Sequence, residues 1–519
     1  MRFGILGVTA SLVLSAAPAH AAWQEASSDH FVIYADDTER DVTLFAQQLE
    51  KYHAGLALIT RTTLPKPSPS NRVTVYVVRN EREVRALYAN TKSSVAGFYV
   101  PRAGASMAIV PAVQAGSGKL TWSMLVLLHE YAHHFTISVD GGAVPRWMNE
   151  GRAEFFASAQ FDKDGSMWIG RPASHRAAGL VFVTGVKVAD VLDPADNVKR
   201  TAMDEDAFYG KSWLLYHYLT FEPSRAGQFA RYASLLATGK SLRDAATGAF
   251  GDLDVLEKEL DRYQVRPRLT ALKLSPEQVK TAMVRVRALS PGEAAIVPVR
   301  VRSQKGVSRE EAKQLLTQAR DIAGRYPGDA AVLTALAECE LDAGNDKEAI
   351  AAANAAIKLD PRQPNAHVQK GLALFRQAGD AKDPPSAYAD ARAAFVALNR
   401  IENDHPLPLI FYYRSYAEQG LQPPPLAING MIRAVELAPF DLGLRMTLGT
   451  LLVREGRGKD AEIILRPVAY DPHGGEMAAA ARKIIERLAR DPKWKGEGMG
   501  TASDDEATTP PSAPPPSGA

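Results

Sequence analysis

The chain has 519 residues, more than one compact core accommodates, so two or more domains are expected. Hydrophobic residues make up 46% and charged residues 23%, the balance of a soluble globular protein rather than a disordered or membrane-spanning one. The 61 Lys and Arg nearly cancel the 59 Asp and Glu and are spread rather than blocked, so the sequence gives no reason to expect nucleic acid as a partner.

Residues 1–21 read as a signal peptide. Arg2 precedes the apolar run FGILGVTASLVL, and AAPAHA follows with small residues at Ala19 and Ala21. Cleavage after Ala21 implies a periplasmic or secreted bacterial protein. The apolar run is too short for a permanent span, and no later stretch reaches transmembrane length, so the mature chain is expected to have no transmembrane segment. The single cysteine, Cys339, is far from the signal, which excludes a lipid-modified cysteine at the cleavage site and any intramolecular disulfide. It falls in a small-residue helical run, as a buried apolar filler would.

Strands and helices then alternate. HFVIYAD (30–36) and RVTVYVV (72–78) are strand candidates, and between them ERDVTLFAQQLEKYHAGLALI has the apolar spacing of an amphipathic helix. EREVRALYA is a further helix, and GFYV and MAIVP are two short strands turning through RAGAS. A helix follows at about 119–137. Pro145 opens the next, PRWMNEGRAEFFASAQF, and DAFYGKSWLLYHYLTF is prominent among those after it. Residues 22–268 therefore read as one α+β domain. Residues 269–307 read as a connecting segment, and residues 491–519 as a disordered tail rich in Pro, Ser and Gly.

Between these last two, residues 308–490 are alanine-rich and helical. Prolines that follow helical runs recur at 327, 361, 406, 439 and 472, with spacings of 34, 45, 33 and 33. Small residues such as Ala349, Gly371, Ala434 and Gly449 fall where two helices of one unit must approach closely. The rhythm resembles tetratricopeptide repeats, helix-turn-helix units of about 34 residues. The extra length in the 45-residue unit is assigned to a loop, QAGDAKDPPSA. The resemblance implies a solenoid that closes on a capping helix near 476–490 and binds a protein partner on a concave face. Because each repeat contacts mainly its neighbours, the array is expected to fold apart from the front domain, with the division near residues 269–306.

The chemistry concentrates in LLHEYAHHF (127–135). His129 and His133 are four apart and share one helix face, so both imidazoles can reach one metal ion. Glu130 is turned about 100° away, where a general base acting on water beside the metal belongs. The plain alternative is two partly buried histidines on an amphipathic helix. His134 points away from the pair and is expected to be packed or exposed.

A zinc hydrolase needs a third protein ligand. With RWMNEGRAEFF downstream, the stretch resembles the gluzincins, the superfamily of thermolysin and the leukotriene-hydrolase-like aminopeptidases. It is closest to bacterial peptidase-MA-like domains, which also precede tetratricopeptide arrays. The resemblance implies one Zn²⁺ per chain on His129, His133 and Glu150, which lies 17 positions after His133. The plain alternative makes Glu150 a carboxylate that only offsets a helix dipole. Glu154, one turn on, would hold the other nitrogen of the first histidine. Tyr209 would donate a hydrogen bond to developing oxyanion charge, in preference to Tyr216 or Tyr218, and His217 would be satisfied locally. The strand at 104–111 would bind extended peptide along a sheet edge. The glutamate that grips a free amine in the aminopeptidases has no counterpart between Arg85 and Glu130, which argues against amino-terminal trimming.

The resemblance thus implies an α+β metallopeptidase-like domain followed by an all-α tetratricopeptide-repeat solenoid. The expected function is an exported zinc metallopeptidase, an endopeptidase acting on a peptide or protein substrate. The alternative is an inactive or non-peptidase protein whose repeats act as a binding scaffold.

Overall fold

A computed structural model describes residues 23–88, 95–114, 116, 118–140, 143–183, 185–194 and 201–499. The expected signal peptide and most of the expected tail lie outside these residues. Nine strands are described: β1 (Trp23–Ser27), β2 (Phe31–Asp36), β3 (Val73–Val77), β4 (Phe98–Val100), β5 (Met107–Val110), β6 (Gln160–Phe161), β7 (Met167–Ile169), β8 (Leu272–Leu274) and β9 (Arg285–Ala288). The main sheet has the order β4-β5-β3-β2-β1-β9. β2, β3 and β5 run parallel, while β4, β1 and β9 pair antiparallel to their neighbours. The smaller sheet is β6-β7-β8.

β2 is buried on both faces, as its unbroken apolar run requires. Ile33 and Ala35 face the core under the helix α1 (Glu39–Thr60), and Val32 and Tyr34 face the opposite cluster. The helices of this half are α2 (Glu81–Leu87), α3 (Trp122–Asp140), α4 (Arg146–Ala157), α5 (Ala177–Phe182), α6 (Val188–Leu192), α7 (Ala202–Phe221), α8 (Gln228–Ala237), α9 (Leu242–Phe250), α10 (Leu253–Gln264) and α11 (Pro291–Gln304).

Residues 269–307 are more than a connector. β8 extends the small sheet, β9 extends the main sheet beside β1, and Val297 and Val301 of α11 cover the second sheet face with Val32 and Tyr76. A fragment ending near Thr270 would therefore lose two strands and the cover that α11 gives the sheet.

The second half of the chain is a long array of packed helical hairpins. After α12 (Arg309–Arg325) come the hairpins α13 (Ala330–Ala343) with α14 (Asp346–Leu359), α15 (Pro364–Gly379) with α16 (Pro384–Ile401), α17 (Pro406–Ala417) with α18 (Pro425–Leu437), and α19 (Leu442–Arg454) with α20 (Gly458–Ala469), then α21 (Gly475–Arg490). Gly371 lies against Phe395, where a Cβ would come 2.7 Å from its ring. The extra length of the 45-residue unit goes into helix rather than loop. α15 and α16 have 16 and 18 residues where α17 and α18 have 12 and 13. The two prolines of DPPS sit in the first turn of α16, where missing N–H groups cost nothing, so a loop-like stretch starts a helix. Cys339 is buried among apolar neighbours in α13.

The array is docked on the front domain rather than tethered to it. The turns that precede successive first helices make the contacts. Glu402 accepts from Ser70 N and Oγ at 2.9 and 2.8 Å, and Asp441 accepts from Ala103 N at 2.9 Å. Phe440 lies 4.4 Å from the His134 ring, centroid to centroid. Gly104, at φ +74°, lies so close to His405 that a Cβ would come 2.8 Å from its Cε1. These contacts oppose the expectation of two separately folding parts: a repeat contacts mainly its neighbours, but its turns remain free to grip another surface.

Candidate metal centre

α3 is buried through its middle, and Tyr52 of α1 fixes it by donating to the Leu128 carbonyl at 3.0 Å. One helical turn separates His129 from His133, and α4 packs against that face. The Nε2 atoms of His129 and His133 lie 3.0 Å apart, and Glu150 Oε2 is 3.2 Å from the first and 3.4 Å from the second. Tetrahedral ligands on zinc bonds of 2.0–2.1 Å would be spaced at about 3.3 Å. Two imidazole nitrogens and one carboxylate oxygen are also the donor types zinc takes. The three residues form the one cluster of metal-ligand type found among the described residues.

The electrostatics favour positive charge beside Glu150. Glu150 is fully buried, and its Oε2 has no hydrogen-bond partner. Burial opposes its ionisation, yet His133 and His129 hold the carboxyl well below the usual carboxylate range. Burial also opposes charge on His129, but Glu150 and Glu154 outweigh it and push the imidazole pKa up to about 10. Two nitrogens 3.0 Å apart cannot both carry a proton on the line between them. A divalent ion on the three atoms would resolve that clash and supply the missing partner of Oε2.

Glu154 Oε1 stands 3.2 Å from His129 Nδ1, although the alignment falls short of a full hydrogen bond. Glu154 also accepts from His175 Nε2 at 2.7 Å and from Arg176 Nη2 at 2.6 Å, and Arg176 in turn donates to Asp206. Burial works against its charge, but Arg176, His175 and His129 hold its carboxyl well below the usual range. On the other histidine, His133 Nδ1 lies 3.2 Å from Asn149 Oδ1. Asn149 belongs to the N-E-G stretch that located Glu150. It sits one position earlier, and its amide oxygen can fix the tautomer of His133. Nothing in the local sequence marks His175 or Arg176, which arrive from a separate segment.

Glu130 is 8% exposed and turns to another side of α3. It lines a small void with Phe98 and Tyr99 of β4 and Ala108 of β5. β4 is the sheet edge. The strand expected to bind peptide, at 104–111, contains β5, which is paired on both sides, to β3 and β4. The strand that ends the sheet on this side is β4, one strand over, because the RAGAS turn folds β5 back into the sheet.

Tyr209 reaches the centre from α7. Its hydroxyl donates to Glu150 Oε1 at 3.4 Å, and burial beside Glu150 holds its pKa well above the usual value, so it remains a donor. Gly151 makes this approach possible: a Cβ there would collide with the Ser212 carbonyl of α7. The other candidates are engaged elsewhere. Tyr218 donates to Glu259, Tyr216 packs on Phe155 and Phe229, and His217 is held by Tyr263 and the Gly170 and Thr270 carbonyls. His134 is half-buried, with Nδ1 2.6 Å from Tyr99 Oη.

Sequence reasoning also missed a contribution from the far end of the chain. The His473 ring, in the turn before α21, lies edge-on to that of His133 with centroids 6.0 Å apart. Burial pushes the neighbouring Asp471 carboxyl up, with His473 and His133 opposing the shift and Glu150 adding to it.

No family model matches the chain, and no curated protein matches it. Among solved structures the chain is similar to a thermophilic tetratricopeptide-repeat protein of Thermus thermophilus. The two share 16% identity over 34% of this chain and 92% of that one, with a TM-score of 0.30. At that score the likeness bears on neither the fold nor the site.

Proposed function

We propose that the front domain is a zinc-dependent hydrolase of peptide bonds, in a protein exported by the signal peptide read at residues 1–21. The observation that carries this reading is the buried, unpartnered Oε2 of Glu150, converging with two imidazole nitrogens. His129, His133 and Glu150 would hold the ion. When bound, zinc lowers the pKa of a water toward 7 and polarises a carbonyl. Glu130 takes the proton from the attacking water as its oxygen joins the carbonyl carbon. It then passes that proton to the amide nitrogen as the carbon–nitrogen bond breaks. Glu154 and Asn149 orient the two imidazoles, and Tyr209 steadies Glu150. β4, beside Glu130, offers an edge on which an extended peptide can lie as an added strand.

A second reading is a protein-binding scaffold in which the array does the work. The stacked helical hairpins favour it, since such arrays serve to bind protein. Zinc content combined with a peptide-library cleavage assay separates the two. The hydrolase reading expects one zinc per chain and cleavage that Glu130→Gln abolishes, whereas the scaffold reading expects no cleavage from either protein.

Among the described residues no helix is long and apolar enough to cross a membrane.

A further inference from the structure

The three ligand side chains differ in exposure. Those of His129 and Glu150 are 4% and 0% exposed, and that of His133 is 15% exposed. The centre therefore opens on the His133 side, and His473 stands there. The turn that carries it is the third in a regular series. Pro406, Pro439 and Pro472 are 33 residues apart, and the turns at the first two already grip the front domain through His405, Phe440 and Asp441. The same register sets the third turn beside His133. There Gly474 and Gly475 adopt φ of +69° and +89° with open space around them, so they serve the backbone reversal rather than packing. The reversal lets α21 begin two residues after His473, which keeps the turn narrow.

We propose that residues 471–475 wall the mouth of the metal centre and that His473 contacts the substrate there, so that the repeat array is part of the active site. The substrate class that fits is an extended, flexible polypeptide segment, able to reach a centre walled by this turn where a folded domain would not. The chemistry rests on the hydrolase reading above, whereas the wall does not.

The test uses the full chain with His473→Ala, His473→Gln and the docking variant Phe440→Ala/Asp441→Ala. Circular dichroism first establishes that each is folded, and His473→Gln, the conservative change at a half-exposed turn, is the variant best placed to pass. Zinc-loaded protein is mixed with excess EDTA and the rate of zinc loss is followed. A peptide that the parent cleaves gives kcat and KM. Zinc stoichiometry should stay at one. Zinc loss should accelerate by about 3-fold or more in His473→Ala and in the docking variant, since both open the mouth. KM should rise by roughly 5- to 10-fold in His473→Ala with a smaller change in kcat, and His473→Gln should recover part of it. Parent-like zinc loss in all folded variants overturns the wall, and parent-like KM in both His473 variants overturns the substrate contact. If the parent cleaves no peptide, the hydrolase reading and the substrate contact fall together, and the EDTA rates still decide the wall.

Discussion

Two buried glutamates in this chain solve the same problem differently. Glu340, in the array, is 4% exposed. Arg320 holds both its oxygens, at 2.7 and 2.9 Å, and Asn345 adds a third bond. Glu150, in the front domain, is 0% exposed, and among the described residues no arginine or lysine forms an ion pair with it. One of its oxygens has Tyr209 and the other has only two imidazole nitrogens nearby. A buried carboxylate needs compensating charge. Where the chain supplies its own cation, the group is structural. Where three ligand-type atoms converge without an arginine or lysine, the group could hold a metal ion.

The sharpest way to break this contrast is to separate holding the metal from using it. Glu130→Gln keeps size and fold and touches none of the three ligand atoms. Peptide cleavage should fall by about 10²-fold or more while zinc content stays unchanged. Undiminished cleavage would remove Glu130 from the chemistry.

Glu154→Gln probes the orientation of His129. It leaves three ligands in place but weakens the hold on Nδ1 and leaves Arg176 with less charge to face. Zinc affinity, measured by competition with a chelator, should drop by about 10- to 100-fold.

On the other side of the comparison, Arg320→Ala should cost about 1 kcal/mol of stability, a value discounted because the Arg320 side chain is 54% exposed. Thermal unfolding would show it, and added zinc should not restore the loss. Rescue by zinc would erase the distinction between the two glutamates.

The smallest effect concerns Glu338, in α13, which accepts from Gln304 Nε2 of α11 at 3.4 Å. Burial, with Asp342 adding to it, raises its pKa from 4.5 to about 7. Across that window the unfolded chain is ionised while the folded chain keeps its proton. Stability therefore falls as pH rises through the window, and the penalty is complete above it. Glu338→Gln removes the titration. Relative to the parent it should gain about 1 kcal/mol at about pH 8 and nothing at about pH 4, by denaturant titration at the two pH values. An equal gain at both would assign the effect to packing.

Some of this was legible in the sequence because the physics is local. His129 and His133 must be four apart to share a face, and that spacing survives in one dimension. Glu150 was found only through a resemblance, since a ligand on the next helix has no fixed spacing that geometry alone dictates. His175 and Arg176 reach Glu154 across a separate segment, and no periodicity announces such a contact. β1 was missed because WQEAS is polar and short, yet it lies between β2 and β9. The proline rhythm gave the repeat period and the helix order, but a period says how repeats stack and nothing about what their turns touch. Phe440, Asp441 and His473 read as ordinary turn residues until the fold sets them against Ala103, His134 and His133.

The central claim is that Glu150 and the two histidines await a metal ion. Elemental analysis of protein dialysed against zinc and then against buffer tests it most directly, with His133→Ala treated in parallel. The account predicts one zinc per chain in the parent and close to none in the variant. A parent free of zinc, or a His133→Ala protein that retains a full equivalent, would contradict it.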